Sequence, residues 1–321
     1  MEMNLSSSID ILSVTGLSPL LEPQLRAAFN LHDRTHETDA SAFELLAPRI
    51  RGIAASGESK VSAELMARLP ALEIVSVFGV GYDGIDVAAA KARGVMVTHT
   101  PNVLNDDVAD LALGLMLSAA RRIPAADRYV KEGRWPSEGA MPLSRKVSGA
   151  RLGIVGMGRI GQAIAHRAAA FGMQISYHAR TARDQVQLPY VPSLIDLASQ
   201  SDYLVVITPG GAGTKHLINA DVIRALGKKG ILVNVARGSV VDEAALISAL
   251  QAGELGGAGL DVFENEPNVP QALRDLNNVV LSPHIGSATV QTRQAMADLA
   301  FTNFASHFAH KGVHTPVPEC S

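Results

Sequence analysis

The segment Arg151-Leu152-Gly153-Ile154-Val155-Gly156-Met157-Gly158-Arg159-Ile160-Gly161 constrains this chain more than any other. An apolar run of strand type ends in Gly-x-Gly-x-x-Gly, and a helical stripe of Ile160, Ile164, Ala168 and Phe171 follows. Strand, tight turn and helix in that order form the opening unit of a sheet that binds a dinucleotide at its turn. Gly156 permits the turn, Gly158 lets a pyrophosphate approach the backbone, and Gly161 lets the helix pack on the sheet. The helix N-terminus offers its N–H groups to the phosphates. Three glycines at this spacing mean little alone in a chain that has 28. The agreement of strand, turn and helix gives them weight.

The rest of the chain repeats the alternation. Val- and Ile-rich runs at 10–14, 50–54, 74–77 and 95–98 read as strands of a first small α/β domain. Helical stripes (Leu21, Leu25, Phe29; Leu65, Leu69) lie between them. Residues 104–120 are apolar on almost every face, the pattern of a buried helix, expected between two domains. Residues 126–149, with the single Trp135, read as an extended arm or loop. Six strands follow at 151–155, 174–178, 203–207, 230–235, 257–262 and 279–281, the count of a dinucleotide-binding sheet. A closing helix at 291–310 is expected to return to the first domain. The fold class is therefore α/β: two Rossmann-like domains with doubly wound parallel sheets and an active-site cleft between them. Residues 1–99 with 288–321 form the substrate-binding, flavodoxin-like domain, and residues 100–287 the dinucleotide-binding domain.

The end of the second strand of that unit bears on the cofactor. An acid about 20 residues after the glycine turn would hold the ribose hydroxyl of NAD. Here the chain reads His178-Ala179-Arg180-Thr181-Ala182-Arg183, with Asp184 only after both arginines. Arg180 and Arg183 suit a 2′-phosphate and Thr181 can donate a hydrogen bond, so NADP(H) is expected over NAD(H). The alternative is that both arginines are ordinary solvated charges.

Three more segments place polar residues just past strands: Asn234-Val235-Ala236-Arg237-Gly238, Leu260-Asp261-Val262-Phe263-Glu264-Asn265-Glu266-Pro267, and Pro283-His284-Ile285-Gly286-Ser287. Ligands of open α/β sheets bind outside the carboxyl ends of the strands. At these segments, at Val80-Gly81-Tyr82-Asp83-Gly84-Ile85-Asp86 and at Gly158-Arg159-Ile160-Gly161, the chain resembles the D-isomer-specific 2-hydroxyacid dehydrogenases nearly end to end. It is especially similar to the NADP-linked branch that reduces glyoxylate, hydroxypyruvate or hydroxyphenylpyruvate.

The resemblance implies that Arg237, Glu266 and His284 are catalytic. Reducing a 2-keto acid needs a hydride at carbon and a proton at oxygen. His284 as imidazolium supplies the proton, Glu266 stabilises that cation, and Arg237 offers a planar fork to the carboxylate and carbonyl oxygen. Glu264 is the competing acid; Glu266 is preferred because it directly precedes Pro267, where the family places its acid. The resemblance also implies that Val80 and Gly81 hold the substrate carboxylate through their N–H groups. It implies that Asp261 meets the nicotinamide carboxamide and that Thr208 and Pro209 pass beside the cofactor. Arg159, Ile160, Val235, Ala236, His284 and Gly286 are further cofactor contacts on the same ground. The run Gly210-Gly211-Ala212-Gly213 departs from the commonest family wording. A homodimer through the cofactor domains is implied, with the arm of Trp135 crossing to the partner; the alternative is a Trp packed within its own subunit.

Composition narrows the remaining classes. Lys and Arg number 28 against 31 Asp and Glu, and no block of like charge occurs, so no nucleic-acid partner is expected. One cysteine, Cys320, forbids an internal disulfide and is compatible with a reducing compartment. No signal peptide or membrane span is read, and the expected address is the cytoplasm. No metal site is expected. Two alternatives stand beside a reductase of small 2-keto acids: a family member acting on aromatic or sugar 2-keto acids, and a nucleotide-sensing, corepressor-like binding protein.

Overall fold

The computed structural model describes residues 9–320. The reading of residues 1–8 as free of a signal peptide lies outside the described residues. The chain divides into two compact units: one comprises the described residues up to Leu104 and from Ala288 onward, the other Asn105–Ser287.

The first unit is built on a five-stranded parallel sheet of β1 (Asp10–Ser13), β2 (Asn30–Asp33), β3 (Ile50–Ser56), β4 (Ile74–Phe78) and β5 (Met96–Thr98), in the order β2-β1-β3-β4-β5. This is the doubly wound, flavodoxin-like order. Its core joins Leu12, Ile53, Val75, Val77 and Val97 from the strands to Phe43 and Met66 from covering helices. The helix Val290–Phe308 belongs to this unit, where Ser76 Oγ donates to the Ala300 carbonyl at 3.3 Å. Strand β2 has no counterpart in the sequence reading. Its residues, Asn-Leu-His-Asp, are poor strand formers. It forms because it pairs in register with β1, from Asp10 beside Asn30 to Ser13 beside Asp33.

The second unit holds a six-stranded parallel sheet of β6 (Arg151–Val155), β7 (Gln174–His178), β8 (Tyr203–Val206), β9 (Ile231–Asn234), β10 (Gly257–Leu260) and β11 (Val279–Leu281). The order β7-β6-β8-β9-β10-β11 reverses direction between β6 and β8, the switch point where such sheets take ligands. Every residue of β8, β9 and β10 is buried. Parallel strands covered on both faces read as unbroken apolar runs. The helix Asn105–Arg121 covers β9, β10 and β11 and packs on the helix Arg159–Ala169. It lies so close that a Cβ on Gly259 would stand 3.0 Å from Leu115 Cβ. Arg167 joins the two helices through Asp106 at 2.9 Å and through Asp110.

The stretch read as an extended arm is partly helical. Ile123–Lys131 is a helix with proline in its first turn and an Asp127–Lys131 pair. Its Tyr129 is buried and donates its hydroxyl to the Gly139 carbonyl at 3.1 Å. A single turn, Arg134–Glu138, follows and carries Trp135, which is 62% exposed. Among the described residues no helix is long and apolar enough to cross a membrane.

Candidate active site

The glycine turn has the geometry that its sequence demands. Gly156 has φ +105°, and a Cβ there would stand 2.6 Å from the Ile207 carbonyl oxygen. A Cβ on Gly161 would stand 2.2 Å from the Gly156 carbonyl oxygen, so helix and turn meet backbone to backbone. At Gly158, by contrast, a Cβ would meet nothing within 4 Å. The three glycines are thus of two kinds: two are forced by close packing, and one leaves open space over the helix start. Gly158 caps the eleven-residue helix Arg159–Ala169, with Arg159 exposed and Ile160 half-buried. Beside this turn, Thr208 at the end of β8 has a buried hydroxyl with no partner, and Pro209 follows it. An open floor, free helix N–H groups and an orphaned hydroxyl fit a phosphate-bearing cofactor.

Past β7, the Gly156 N–H donates to the His178 carbonyl at 2.9 Å and ties that strand's end to the glycine turn. Arg180, Thr181 and Arg183 are all exposed there.

The polar residues past β9, β10 and β11 come together. Asn234, only 1% exposed, closes the first of these loops: its Oδ1 accepts from Ala236 N at 3.0 Å and its Nδ2 donates to the Arg237 carbonyl at 3.0 Å. Arg237 stands half-buried on this turn and donates to the Ala236 carbonyl at 2.8 Å. Val235 and Ala236 are buried beneath it. The next residue, Gly238, has no room for a side chain, since a Cβ would fall 1.9 Å from the Phe263 carbonyl carbon. The loop of Arg237 therefore rests directly on the loop of the acids.

Glu266 folds back over that second loop. Its Oε1 accepts from Phe263 N at 2.8 Å, and its Oε2 accepts from His284 Nδ1 at 2.8 Å. Glu264 is engaged elsewhere, with His216 Nε2 at 3.0 Å. Of the two acids, Glu266 is the one bonded to His284. Burial and the Glu264 charge push the nearby Glu243 carboxyl up, although the Glu264 N–H donates to it at 3.2 Å.

Asp261 organises the third loop. It is 2% exposed. Its Oδ1 accepts from Ser282 Oγ at 2.7 Å and from Ile285 N at 2.8 Å, and its Oδ2 accepts from Gly286 N at 2.8 Å. Its carbonyl also takes the His284 N–H at 2.9 Å. A Cβ on Gly286 would approach this carboxylate to 3.2 Å. The clamp holds His284 in the left-handed region at φ 51°, a costly conformation for a side chain of this size. Burial pushes the Asp261 carboxyl up, against the pull of its donors and of His284. Asp261, expected only at the cofactor, and Asn234, for which no role is expected, both hold backbone here. The only signal for Asn234 in the sequence is its place at a strand end, three residues before Arg237.

In the first unit, Val80 and Gly81 follow β4 on a loop that packs on its own neighbours. His99 Nδ1 donates to the Val80 carbonyl at 2.9 Å, and the Tyr82 hydroxyl donates to Glu319 at 3.1 Å.

Residues 113–286 match the D-isomer specific 2-hydroxyacid dehydrogenase, NAD binding domain, family. The chain belongs to this family. Over 97% of its length this dehydrogenase is 48% identical to glyoxylate/hydroxypyruvate reductase A of Arabidopsis thaliana, covering 99% of that protein. Hydroxyphenylpyruvate reductase of Plectranthus scutellarioides is 48% identical with the same coverage. Among solved structures, an NADPH-dependent glyoxylate/hydroxypyruvate reductase of Sinorhizobium meliloti, in complex with NADP and malonate, superposes with a TM-score of 0.92. That structure is 48% identical and covers 98% of each chain. In this dehydrogenase the side chains of Glu266 and His284 are bonded to each other, and Arg237 stands on the neighbouring strand-end loop.

Proposed function

We propose that this 2-hydroxyacid dehydrogenase reduces small 2-keto acids, glyoxylate and hydroxypyruvate, to D-2-hydroxy acids with NADPH. The observation that carries the reading is the Glu266–His284 bond at 2.8 Å. A carboxylate accepts only, so Nδ1 carries a proton, and the second nitrogen, Nε2, is assigned the proton that goes to the substrate. The reduced nicotinamide, when bound, supplies the hydride that adds to the carbonyl carbon. As the carbonyl oxygen becomes a hydroxyl it takes the Nε2 proton, and His284 is left neutral. Glu266 favours the imidazolium before transfer and keeps the ring oriented during it. Arg237 grips the carboxylate and steadies the charge growing on oxygen.

In this reading residues 100–287 bind the cofactor and residues 1–99 with 288–321 bind the substrate, Val80 and Gly81 donating to its carboxylate. Gly156, Gly158, Arg159, Ile160 and Gly161 take the pyrophosphate, and Thr208, Pro209, Val235 and Ala236 flank the cofactor. Asp261 Oδ2, which accepts one bond from Gly286, has capacity for the nicotinamide carboxamide. Arg180, Thr181 and Arg183 select NADPH through its 2′-phosphate. The absence of an acid among residues 178–183 supports that choice. The protein works as a homodimer through its cofactor domains. The exposed Ile123, Val130, Trp135 and fully exposed Leu143 supply an apolar surface that a partner would cover. A single cysteine agrees with a cytoplasmic setting.

The test is the initial rate of cofactor oxidation with glyoxylate, hydroxypyruvate and 4-hydroxyphenylpyruvate, each with NADPH and NADH. Fast NADPH-dependent reduction of the two small acids is expected. Turnover of the aromatic acid alone would move the substrate class and keep the chemistry. Tight cofactor binding without turnover of any 2-keto acid would favour a nucleotide-sensing protein.

A further inference from the structure

Between β7 and the helix Leu194–Ser199 the chain leaves the sheet and returns. Its base is a short ladder: Tyr177 N donates to the Pro189 carbonyl at 2.9 Å, and Val191 N donates to the Tyr177 carbonyl at 2.8 Å. Above this base, residues 180–185 are all exposed and contribute nothing to the core. Yet the first part of the excursion is tied at both ends. The Tyr190 hydroxyl donates to the Ala179 carbonyl at 3.2 Å, and the Tyr177 hydroxyl accepts the Arg183 N–H at 2.8 Å. Tyr177 is fully buried, and the two rings pack with centroids 5.4 Å apart. Two phenols of the sheet base thus reach up to fix a five-residue arc, Ala179–Arg183, whose own side chains hold nothing in place. That arc carries Arg180, Thr181 and Arg183.

We propose that Tyr177, assisted by Tyr190, is a positioning residue for cofactor specificity: it shapes the arc so that Arg180, Thr181 and Arg183 meet a 2′-phosphate monoester. The inference rests on the NADPH reading. Its physical basis is pre-organisation. An exposed arc that must be ordered when the phosphate binds loses affinity to that ordering, and one already fixed does not. NADH has no 2′-phosphate, so its affinity does not draw on the arc. The residues of catalysis lie past β9, β10 and β11, and the phenols touch none of them.

The experiment is calorimetric titration of the full-length protein with NADPH and with NADH, for the wild type, Tyr177→Phe, Tyr190→Phe and Arg180→Ala. Tyr177→Phe keeps the buried ring and deletes one acceptor. It is expected to weaken NADPH by about three- to tenfold, the effect of one hydrogen bond, with NADH changed by less than about twofold and kcat at saturating cofactor unchanged. Tyr190→Phe shifts the NADPH/NADH ratio the same way by a smaller factor, and keeps the test available should Tyr177→Phe fold poorly. Hydrogen exchange at the Arg183 amide rises in Tyr177→Phe. Equal weakening of both cofactors would make the phenol merely structural and overturn the proposal. An unchanged NADPH/NADH ratio in both phenylalanine variants would do so as well, while loss of the ratio in Arg180→Ala would leave the NADPH reading standing. A wild type that binds both cofactors alike would overturn the NADPH reading and the inference with it.

Discussion

Two aspartates, one in each unit, are almost completely buried and behave in opposite ways. Asp10 opens β1 at the amino end of its sheet and is 3% exposed. It takes His32 Nε2 at 2.7 Å and Arg49 Nη2 at 2.9 Å. Burial pushes its carboxyl up, but these two partners outweigh burial and hold it below the ordinary range. Asp261 follows β10 at the carboxyl end of the other sheet and is bonded by N–H and O–H donors of its neighbouring loop. There burial wins and the carboxyl is pushed up. A buried carboxylate matched by a guanidinium and an imidazole is a fastening. One buried against neutral donors, in a loop that forces His284 to positive φ, is a cost retained where geometry serves chemistry.

The largest effect is expected at His284→Ala, which removes the proposed proton donor: kcat should fall by about 10³-fold while calorimetric affinity for NADPH stays within a few-fold. Near wild-type turnover would remove His284 from the mechanism. Next is Asp261→Asn. Its oxygen can still serve Ser282 and Ile285, but its amide then faces the Gly286 N–H, and the His284 turn shifts. Turnover should fall by about 10²-fold, the usual consequence of a displacement on the order of 1 Å. Asp10→Asn is expected to spare steady-state turnover and to lower stability by about 1–3 kcal/mol in urea melts. A comparable loss of turnover in Asp10→Asn would erase the distinction between fastening and site.

The smallest effect is in the pH dependence. Asp10, with its lowered value, contributes stability that is present above the ordinary 3.8 and is lost as pH falls through the folded value. Asp261, with its raised value, is favoured in acid and loses that contribution as pH rises through its folded value. The stability of wild type relative to Asp10→Asn should therefore fall on acidification, and its stability relative to Asp261→Asn should rise. Each slope is at most about 1.4 kcal/mol per pH unit. Parallel slopes would contradict the opposed shifts.

The sheet of the second unit was legible because β8, β9 and β10 are buried, mostly apolar runs, and β6, β7 and β11 fall on the residues that the pattern marks. Strand β2 was not, because its four residues take strand form from β1 and from contacts such as Ser13 Oγ to Asp33 at 2.8 Å. The helix Ile123–Lys131 was hidden by a looser apolar period, and the burial that defines it falls on one residue, Tyr129. At the site, residue types past strand ends marked Arg237, His284 and the pair Glu264 and Glu266, and the family resemblance chose Glu266. The work of Asp261 was out of reach, since its donors lie more than twenty residues away and are mostly backbone N–H groups, which no side-chain pattern records. The roles of Tyr177 and Tyr190 were hidden for a related reason: in a strand and its return, tyrosines read as core.

The absence of space at Gly238 has a consequence for anyone redesigning this enzyme. Because the backbones of the Arg237 and Glu266 loops touch with no side chain between them, an insertion in either displaces the other. The two loops behave as a single inherited block, and libraries that diversify them separately will return mostly dead clones.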